Sequence, residues 1–400
     1  MLVKVAWRNL WRNWRRSAIV LASMVVGVAA LIWIDALNLG MLRQMLNNQI
    51  GAHTAHLQIH RAGFRDNPVV QNAMENPQAV ESLLKNDPRI AGYSRRVLTF
   101  SMITSPMNAS GVTLVGVEPD REPTVTYIAR SIVAGSYLSG AKGEILISRR
   151  LAEKMDLRLG EKVVAMATAL DGTINSDLYR VVGIYQTHSA QFDRTHVYIT
   201  LSDARRLLGL THQIMEVAVR LKDLDRLEAV QRDYQRRLGA GFEVLSFRDL
   251  LPLLVAMLDV FREMMSVFYL LVGIAMVFGI INTLLMSVME RVPEIGVLMA
   301  VGMRGSQIFK MVVLEAFLLG LLGTVLGMAL GLAVCLPLAH SGLNLSMFKE
   351  SLTSFGAGAV IYPALSIGTF VMAGLLVPTF SVLGAMYPAY RAVRLQPVEA

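Results

Sequence analysis

The sequence predicts an α-helical membrane protein with four transmembrane helices, one before and three after a large α+β extracytoplasmic domain. Two features of the composition indicate this class: 54% of the 400 residues are hydrophobic, and the mean hydropathy is +0.48. A third feature is the uneven distribution of positive charge along the chain: residues 39–265 hold 27 of the 38 Lys and Arg residues. The chain therefore combines apolar runs that can cross a bilayer with a long polar segment that can fold in water.

The first sixteen residues predict a helix that lies on the membrane surface. Val3, Trp7, Trp11 and Trp14 recur at spacings of three and four, and the arginines of this stretch fall toward the other face. Helices of this kind bind in the interfacial plane of a bilayer. The following apolar run is longer than that of a secretory signal and continues as an amphipathic helix, so we interpret 17–38 as an uncleaved transmembrane helix. Nucleic acid is not an expected partner.

Three further apolar runs predict transmembrane helices at 265–289, 311–339 and 363–387. Each is long enough to cross a hydrocarbon core, which needs about 20 apolar residues. Lys and Arg residues concentrate near both chain ends and in the loop 290–310, whereas the loop 340–362 contains a single lysine. Because positively charged segments stay in the cytoplasm, we expect both termini and the first of these loops inside, and the long polar segment outside.

The long polar segment predicts an α+β domain carried on a helical stalk. Strand-like runs are separated by Gly, Asp and Pro, and one helix is expected at 223–238. The amphipathic segments 37–50 and 250–264 continue directly into spans, so we expect them to form the stalk. The strand-like runs are HLQIH (56–60), GVTLVGV (111–117), GEILIS (143–148), EKVVAMAT (161–168), YRVVGIY (179–185), THVYIT (195–200) and MEVAVRL (215–221).

These assignments divide the chain into consecutive segments, and the outer one is long enough to bury a core of its own. In chain order they are a cytoplasmic interfacial helix (1–16), transmembrane helix 1 (17–38), the extracytoplasmic domain with its stalk (39–264), transmembrane helix 2 (265–289), a cytoplasmic loop with a short helix (290–310), transmembrane helix 3 (311–339), an extracytoplasmic loop (340–362), transmembrane helix 4 (363–387) and a cytoplasmic tail (388–400).

Motifs for catalysis and for cofactor binding are missing from the sequence. The nearest approach to a phosphate-binding loop, at 135–143, has alanine where the loop requires lysine. His56 and His60 alternate with apolar residues, so we expect them on the water-facing side of a strand rather than at a metal. Asp35 and Glu315 lie near the ends of apolar runs, where a carboxylate can reach water, and we expect structural roles for them. The sequence thus predicts a non-catalytic chain that binds no metal or cofactor itself.

The cytoplasmic loop predicts a short helix, because Pro293 suits a helix start and Gly302 suits a helix end. With its flank it reads NTLLMSVMERVPEIGVLMAVG. This segment resembles the coupling helix of ABC transporter permeases of the MacB, FtsX and lipoprotein-release (LolC/LolE-like) family, which carry N-T-x-x-M-S-V-x-E-R-x-x-E-I-G-x-x-x-A-x-G. The matching residues are Asn282, Met286, Glu290, Arg291, Glu294, Ile295, Gly296, Ala300 and Gly302. The resemblance extends to the basic opening of the chain, to GEILISRRLAEKMDLRLGEKV, to the LEA around Glu315 and to the closing YPAYRAVRLQPVEA.

The resemblance implies a multi-pass permease of the bacterial inner membrane that works with a cytoplasmic ABC ATPase dimer. ATP and Mg would be held by that ATPase, a separate polypeptide, and not by this chain. A second permease copy or a paralogue would complete the core, and a periplasmic adaptor, a lipoprotein and membrane lipid are further candidate partners. The residues assigned to ATPase coupling on this basis are Glu290, Arg291, Pro293, Glu294, Ile295, Gly296, Leu298 and Gly302.

Glycines and methionines in the apolar runs suggest two further kinds of site. Small residues let transmembrane helices approach closely, which predicts a packing groove at Gly320, Gly323, Gly327 and Gly331. Flexible thioethers can accommodate acyl chains of several shapes, so candidate substrate-facing residues are Met257, Met264, Met265 and Met276.

Two functions fit these features. The first is extraction or export of a lipoprotein or another amphiphile from the periplasmic side, with ATP-driven motion transmitted through the stalk. The alternative is an FtsX-like signal transmitter that activates a periplasmic cell-wall hydrolase and moves no substrate.

Overall fold

A computed structural model describes residues 2–12, 14–348, 352–353 and 356–394. Residues 395–400 of the predicted cytoplasmic tail, and 349–351 and 354–355 of the predicted outer loop, lie outside the described residues. The chain divides into two compact units. The helical unit is drawn from Met1–Leu42, Met257–Asn344 and Val360–Ala400, and the α/β unit from Arg43–Ala256 and Leu345–Ala359.

The helices, in chain order, are α1 (Leu2–Arg12), α2 (Trp14–Gln49), α3 (Gln78–Lys85), α4 (Glu122–Val125), α5 (Arg149–Met155), α6 (Ala190–Thr195), α7 (Leu201–Leu208), α8 (Leu227–Leu238), α9 (Phe247–Leu250), α10 (Pro252–Glu290), α11 (Val292–Ala300), α12 (Gly305–Ser341) and α13 (Ile367–Val393). Four of these, α2, α10, α12 and α13, are long and apolar enough to cross a membrane. One precedes the sheet described below and three follow it in the chain.

The helices α2 and α10 are longer than a bilayer requires. Each runs without a break through one predicted stalk segment and one predicted transmembrane helix. At 1.5 Å per residue, the 39 residues of α10 extend about 58 Å, nearly twice the roughly 30 Å thickness of the hydrocarbon core. Each of the two helices therefore contains residues of both compact units.

Apolar side chains from five helices hold the helical unit together. One cluster joins Leu10 of α1, Val20 of α2, Ile280 of α10, Leu319 of α12 and Ala385 of α13. A second cluster contains residues of α2, α12 and α13, with Cys335 buried among them. The first helix, α1, is therefore packed into the bundle through Leu10, and the rings of its tryptophans remain exposed.

The four glycines of α12 that were predicted to form a packing groove lie at close approaches to neighbouring helices. A Cβ atom added at Gly323 would lie 2.8 Å from the Cβ of Met24, and one at Gly327 would lie 2.6 Å from the Cβ of Val28. At Gly331 the corresponding distance to the Cβ of Ile32 is 3.1 Å, whereas an added Cβ at Gly320 would meet Ser381 of α13. Three of the glycines thus form a groove that receives α2 of the same chain, and the fourth faces α13.

The α/β unit is built on a mixed ten-stranded sheet. Its strands are β1 (Leu57–Arg61), β2 (Ile90–Thr104), β3 (Ala109–Val117), β4 (Ile132–Gly135), β5 (Glu144–Ser148), β6 (Lys162–Thr168), β7 (Ile174–Tyr185), β8 (His196–Thr200), β9 (Glu216–Leu221) and β10 (Phe242–Ser246); the short pair β11 (Leu343–Asn344) and β12 (Val360–Ile361) belongs to the helical unit. The sheet order is β10-β1-β9-β2-β3-β8-β5-β7-β4, and β6 pairs with β2 and β7. The predicted helix forms as α8, preceded by a 3₁₀ turn at Leu224–Arg226.

Three strands of the ten-stranded sheet, β2, β4 and β10, were not predicted from the sequence, and the longest of them, β2, shows why. Its alternation of polar and apolar residues is interrupted by Arg96, which is fully buried. The Arg96 guanidinium lies 2.7 Å from the Glu122 carboxylate and 2.6 Å from the Glu216 carboxylate. A buried charge of this kind needs partners that are distant in sequence, so the local pattern does not reveal the strand.

The water-facing placement predicted for His56 and His60 is wrong for His60. Strand β1 lies between β9 and β10 and is covered on both faces, and His60 is only 4% exposed. Its ring stacks on Phe64, with ring centroids 5.3 Å apart, and its Nδ1 lies 3.2 Å from the Met215 carbonyl oxygen. Strand alternation predicts a wet face only where one side of a sheet is open, and here helices and loops cover both.

Candidate coupling site

The sequence of the short helix α11 determines where the helix begins and where it ends. It begins at Val292, and Pro293 occupies its second position, in the first turn, where no intrahelical partner exists for a backbone N–H. At the other end Gly302 has a φ of +99°, a conformation that favours glycine. The Gly302 amide donates to the Met299 carbonyl and the Met303 amide to the Leu298 carbonyl, the pair of hydrogen bonds of a Schellman motif.

One face of α11 packs inside the helical unit and the other faces outward. Ile295 is 4% exposed and lies in a cluster with Ile308, Val312 and Ala389. The Ile295 side chain thus holds α11 against α12 and α13 within this chain, and its assignment to ATPase coupling stays a prediction. The outward face instead carries Val297, Leu298 and Val301, and Val301 is 83% exposed. Glu290 and Pro293 are also exposed, and Gly296 is half-buried.

An ion pair joins the first helix, α1, to α11. The Arg12 Nη2 atom lies 2.6 Å from the Glu294 Oε2 atom, and both side chains are about half exposed. Exposed pairs of this kind contribute at most about 1 kcal/mol to stability. The pair was not predicted, because the sequence assigned Arg12 only to the interfacial face of the first helix.

A second ion pair fastens α11 to α12 and is buried. Arg291, the residue that precedes α11, places its Nη1 atom 3.3 Å from the Glu315 Oε2 atom, and the two side chains are 10% and 8% exposed. This corrects the expectation that the Glu315 carboxylate reaches water, whereas the assignment of Arg291 to ATPase coupling stays a prediction. Removing one member of a buried pair costs about 3–5 kcal/mol because the other charge is left without compensation.

A cavity of about 400 Å³ lies between α1, α10, α11 and α12. Its charged lining consists of the four residues of the two ion pairs, with Asn9 and Ser287 as further polar groups. Its apolar walls are Val5, Leu284, Val288, Ile295, Val297, Leu298, Met311 and Val312. The Arg291 Nε atom is buried and has no hydrogen-bond partner within the described part of the chain. The cavity therefore places an unsatisfied donor next to apolar walls.

Comparison with known families identifies both parts of the chain. The MacB-like periplasmic core domain matches residues 17–237, which is more than half of the chain, and the FtsX-like permease C-terminal domain matches residues 266–397. The chain belongs to the MacB- and FtsX-like family of ABC transporter permeases. The α11 loop of this permease lies in the FtsX-like part, and its α/β unit corresponds to the MacB-like core domain.

Curated relatives of the permease have different stated roles. The lipoprotein-releasing system transmembrane protein LolC of Xylella fastidiosa is 22% identical over 97% of this chain and 95% of its own length. The macrolide export ATP-binding/permease protein MacB 2 of Yersinia pestis is 27% identical over 96% of this chain and 55% of its own length. The pyoverdine export ATP-binding/permease protein PvdT of Pseudomonas fluorescens is 25% identical over the whole chain and 58% of its own length.

The candidate substrate-facing methionines of the permease occupy different environments. Met265 is buried and accepts a hydrogen bond at its sulfur from Asn38 at 3.5 Å, and Met276 is packed against two apolar clusters. Both therefore contribute to packing between helices, and their assignment as substrate-facing stays a prediction. Met264 is exposed and Met257 is half-buried. Further along α10, Met286 and Met289 are exposed as well.

Asp35 joins three helices of the permease. Its carboxylate accepts a hydrogen bond from the Tyr269 hydroxyl at 2.7 Å and another from the Thr369 hydroxyl. These partners lie on α10 and α13, whereas Asp35 itself lies on α2. The carboxylate thus has a structural role, and its partners could not be found from a sequence in which they are more than 230 residues away.

Proposed function

We propose that this permease is the membrane subunit of an ABC transporter in which a separate ATPase drives the extraction or export of a lipoprotein or another amphiphile by mechanotransmission. In this proposal the four long helices span a bacterial inner membrane in a one-plus-three arrangement. Both termini and α11 are cytoplasmic, and the α/β unit is periplasmic. The observation that carries the proposal is the attachment of α11 to two long helices, covalently to α10 and through the buried pair of Arg291 and Glu315 to α12.

The attachment makes α11 suitable for receiving force. A single residue, Arg291, separates α11 from the end of α10, so α11 cannot move far without moving that helix. The same residue holds α12 through Glu315. Because α10 continues as one helix for about 58 Å, a displacement of α11 tilts or shifts the far end of α10. This transfer of movement along α10 is what we mean by mechanotransmission.

The outward face of α11 supports an ATPase as the partner that supplies the force. Val297, Leu298 and Val301 provide exposed apolar contact area, and Glu294 adds a negative charge beside them. An apolar patch with charge at its rim is typical of a specific protein interface. We infer that two ATPase subunits contact two permease chains, the second being a copy or a paralogue of this one, and that ATP and Mg stay on the ATPase.

The extent of similarity to LolC favours a lipoprotein or another acylated molecule as cargo. This chain spans nearly the whole length of that protein and only about half of the MacB and PvdT chains. The exposed thioethers of Met264, Met286 and Met289 along α10 provide flexible apolar contacts for acyl chains. Signal transmission to a cell-wall hydrolase remains the alternative that the cargo experiment below distinguishes.

The ATPase contact is tested with a photoactivatable cross-linking residue placed on the permease in cells. The residue replaces Val301 at the end of α11 or, as the matched control, Val260 on α10, a valine that is also exposed. We expect the ATPase to be captured from position 301 and not from position 260. Capture from both positions, or only from position 260, would contradict the proposed docking face.

The cargo is tested by purifying the complex in a mild detergent with a non-hydrolysable ATP analogue or with ATP. Extraction of an amphiphile predicts that a lipoprotein or another acylated molecule is retained with the analogue and lost after hydrolysis. Retention of a soluble cell-wall hydrolase without any acylated molecule would instead favour the signalling alternative. A periplasmic adaptor, if the system uses one, would be recovered in the same experiment.

A further inference from the structure

We propose that the cavity beside α11 binds the headgroup of a phosphatidylethanolamine molecule from the inner leaflet, with the phosphate toward Arg291 and Arg12 and the ammonium toward Glu294 and Glu315. The inference rests on the membrane placement proposed above. It concerns a ligand of the permease itself and does not require the ATPase.

The size and the walls of the cavity fit a headgroup with the beginning of its acyl chains. Its volume of about 400 Å³ lies within the range of about 300–1,000 Å³ that is usual for small-molecule sites. Leu284, Val288 and Val312 line it on the side of the long helices. Charged and apolar residues both come from α1, from the α11 segment and from α12, so a ligand in the cavity meets charged groups and apolar walls together, as a phospholipid headgroup with its first acyl carbons requires.

The charges around the cavity are balanced, which selects among phospholipids. Two guanidinium groups, Arg12 and Arg291, and two carboxylates, Glu294 and Glu315, line the same space. A purely anionic headgroup would be attracted by the two arginines but repelled by the two carboxylates. A zwitterion can place each of its charges next to the opposite sign.

The hydrogen bonding of Arg291 indicates a missing acceptor. Its side chain is nine-tenths buried, yet its two hydrogen bonds to Glu315 are 3.3 and 3.4 Å long. Charge-assisted bonds are usually about 2.7–2.9 Å. Its Nε atom makes no hydrogen bond to any residue that the structure describes, and its ion-pair contact with the Glu294 Oε2 atom is 3.9 Å long. A phosphate oxygen in the cavity would satisfy this donor.

The position of α1 places the cavity at headgroup depth. Val5, Asn9 and Arg12 are spaced by four and three residues, so one face of α1 lines the cavity. The adjacent face carries the exposed rings of Trp7 and Trp11. Helices with exposed tryptophan and arginine lie among lipid headgroups, and a cavity bordered by such a helix opens to the same layer.

Ethanolamine fits the carboxylates better than choline does. A primary ammonium has three N–H groups that can donate to Glu294 and Glu315, whereas the quaternary ammonium of choline has none. Phosphatidylcholine keeps the phosphate and the net charge but loses these hydrogen bonds. Comparison of the two lipids therefore separates recognition of the ammonium from recognition of the phosphate.

The test is native mass spectrometry of the full-length permease, purified in detergent and incubated with one defined component at a time. The components are phosphatidylethanolamine, phosphatidylglycerol, phosphatidylcholine and inorganic phosphate. We expect one phosphatidylethanolamine per chain, with about tenfold weaker retention of the other two lipids, which corresponds to about 1.4 kcal/mol. Inorganic phosphate alone should not be retained. Equal retention of the three lipids would overturn the proposal, as would retention of inorganic phosphate without lipid.

Variants that fill the cavity locate the lipid. Ser287→Trp on α10 and Val5→Trp at the exposed rim on α1 should each reduce retention of phosphatidylethanolamine about tenfold. Thr379→Trp, on the exposed side of α13 and outside the cavity, is the matched control and should leave retention unchanged. Val5 is already partly exposed, so its replacement does not depend on how well the interior tolerates tryptophan. Unchanged retention in Val5→Trp, or equal loss in the control, would place the lipid elsewhere. Because no ATPase is present, failure of the coupling proposal does not affect this result.

Discussion

Arg291 and Glu315 form a buried ion pair between the residue that precedes α11 and the first third of α12, with 3.3 Å between Nη1 and Oε2. The two residues are 24 positions apart, and the intervening chain forms α11 and the turn at Gly302. The short helix therefore lies within a loop of chain that begins at Arg291 and ends at Glu315, and the ion pair holds these two residues together. This closed loop explains how a helix of nine residues keeps a fixed position.

Breaking the buried pair should destabilise the helical unit. We expect Arg291→Ala to lower the free energy of unfolding by about 3–5 kcal/mol, because the Glu315 carboxylate is left buried without a partner. Arg12→Ala, which breaks the exposed pair with Glu294, should cost no more than about 1 kcal/mol. Thermal unfolding in detergent, followed by tryptophan fluorescence, measures both, since all four tryptophans belong to the helical unit. Equal losses in the two variants would contradict the burial of the Arg291–Glu315 pair.

Reversing the charge of Glu294 should weaken ATPase association. In Glu294→Lys the new ammonium faces the Arg12 guanidinium, which lies 2.6 Å from the native carboxylate, and the negative charge of the outward face is lost. The permease should still fold and insert, because Glu294 is exposed. Pull-down of the ATPase and ATP turnover measure the effect.

The double variant Arg12→Glu with Glu294→Lys separates the two causes of that loss. Restored ATPase binding would mean that the ion pair matters because it orients α11. Continued loss would mean that the ATPase reads the Glu294 charge itself. Wild-type binding and turnover in the single variant would remove Glu294 from the coupling site.

A larger side chain at a glycine of the α12 groove should push α2 away from α12. The position of an added Cβ at Gly327 lies 2.6 Å from the Cβ of Val28 and 3.0 Å from the Val25 carbonyl oxygen. We expect Gly327→Leu to destabilise the bundle by about 1–3 kcal/mol through overpacking, and to impair transport with insertion intact. Gly279→Leu on α10 is the matched control, because nothing lies within 4 Å of its added Cβ. Comparable loss of activity in both variants would argue against close packing at Gly327.

Protonation of His60 should destabilise the α/β unit in acid. Burial lowers the pKa of His60 to about 4, whereas the unfolded chain binds the proton near pH 6.5. Because the folded pKa is the lower one, this contribution is complete above pH 6.5 and is lost as the pH falls toward 4, by up to about 3 kcal/mol. Glu216, 3.9 Å away, acts in the opposite direction, since burial raises the pKa of its carboxyl to about 7.

Comparison of variants separates the effect of His60 on acid stability from that of Glu216. Hydrogen exchange of β1 and β9 between pH 4.5 and 7 should show a weaker pH dependence in His60→Gln than in the wild type. His212→Gln, at an exposed position, should keep the wild-type profile. A profile in His60→Gln identical to that of the wild type would show that another group controls acid stability.

The proposed topology is tested by labelling single introduced cysteines. Asp171→Cys in the exposed turn between β6 and β7 should react with an impermeant maleimide in intact spheroplasts, whereas Ser306→Cys at the start of α12 should react only after permeabilisation. The native Cys335 is buried, which keeps the background low. The reverse pattern would place the α/β unit in the cytoplasm.

Structural features that depend on residues close together in the sequence could be predicted. The long helices follow from runs of apolar residues, and α11 follows from Pro293 and Gly302, because helix formation and termination are decided within a few residues. Strands with regular alternation, such as β8 and β9, were found for the same reason. Strands β2, β4 and β10 were not, and in β2 the interruption by Arg96 is stabilised by Glu122 and Glu216, which lie elsewhere in the chain.

The sequence by itself determined the class of the protein, the number of long apolar helices and the location of the short helix that links two of them. Only the tertiary structure decided which side chains of that short helix face outward: it buried Ile295 and Arg291 and left Val301 exposed. It also paired Glu315 with Arg291 and directed three glycines of α12 toward α2. The physical reason is that hydrophobicity and helix propensity act along the chain, whereas desolvation and close packing depend on the residue that lies opposite in space.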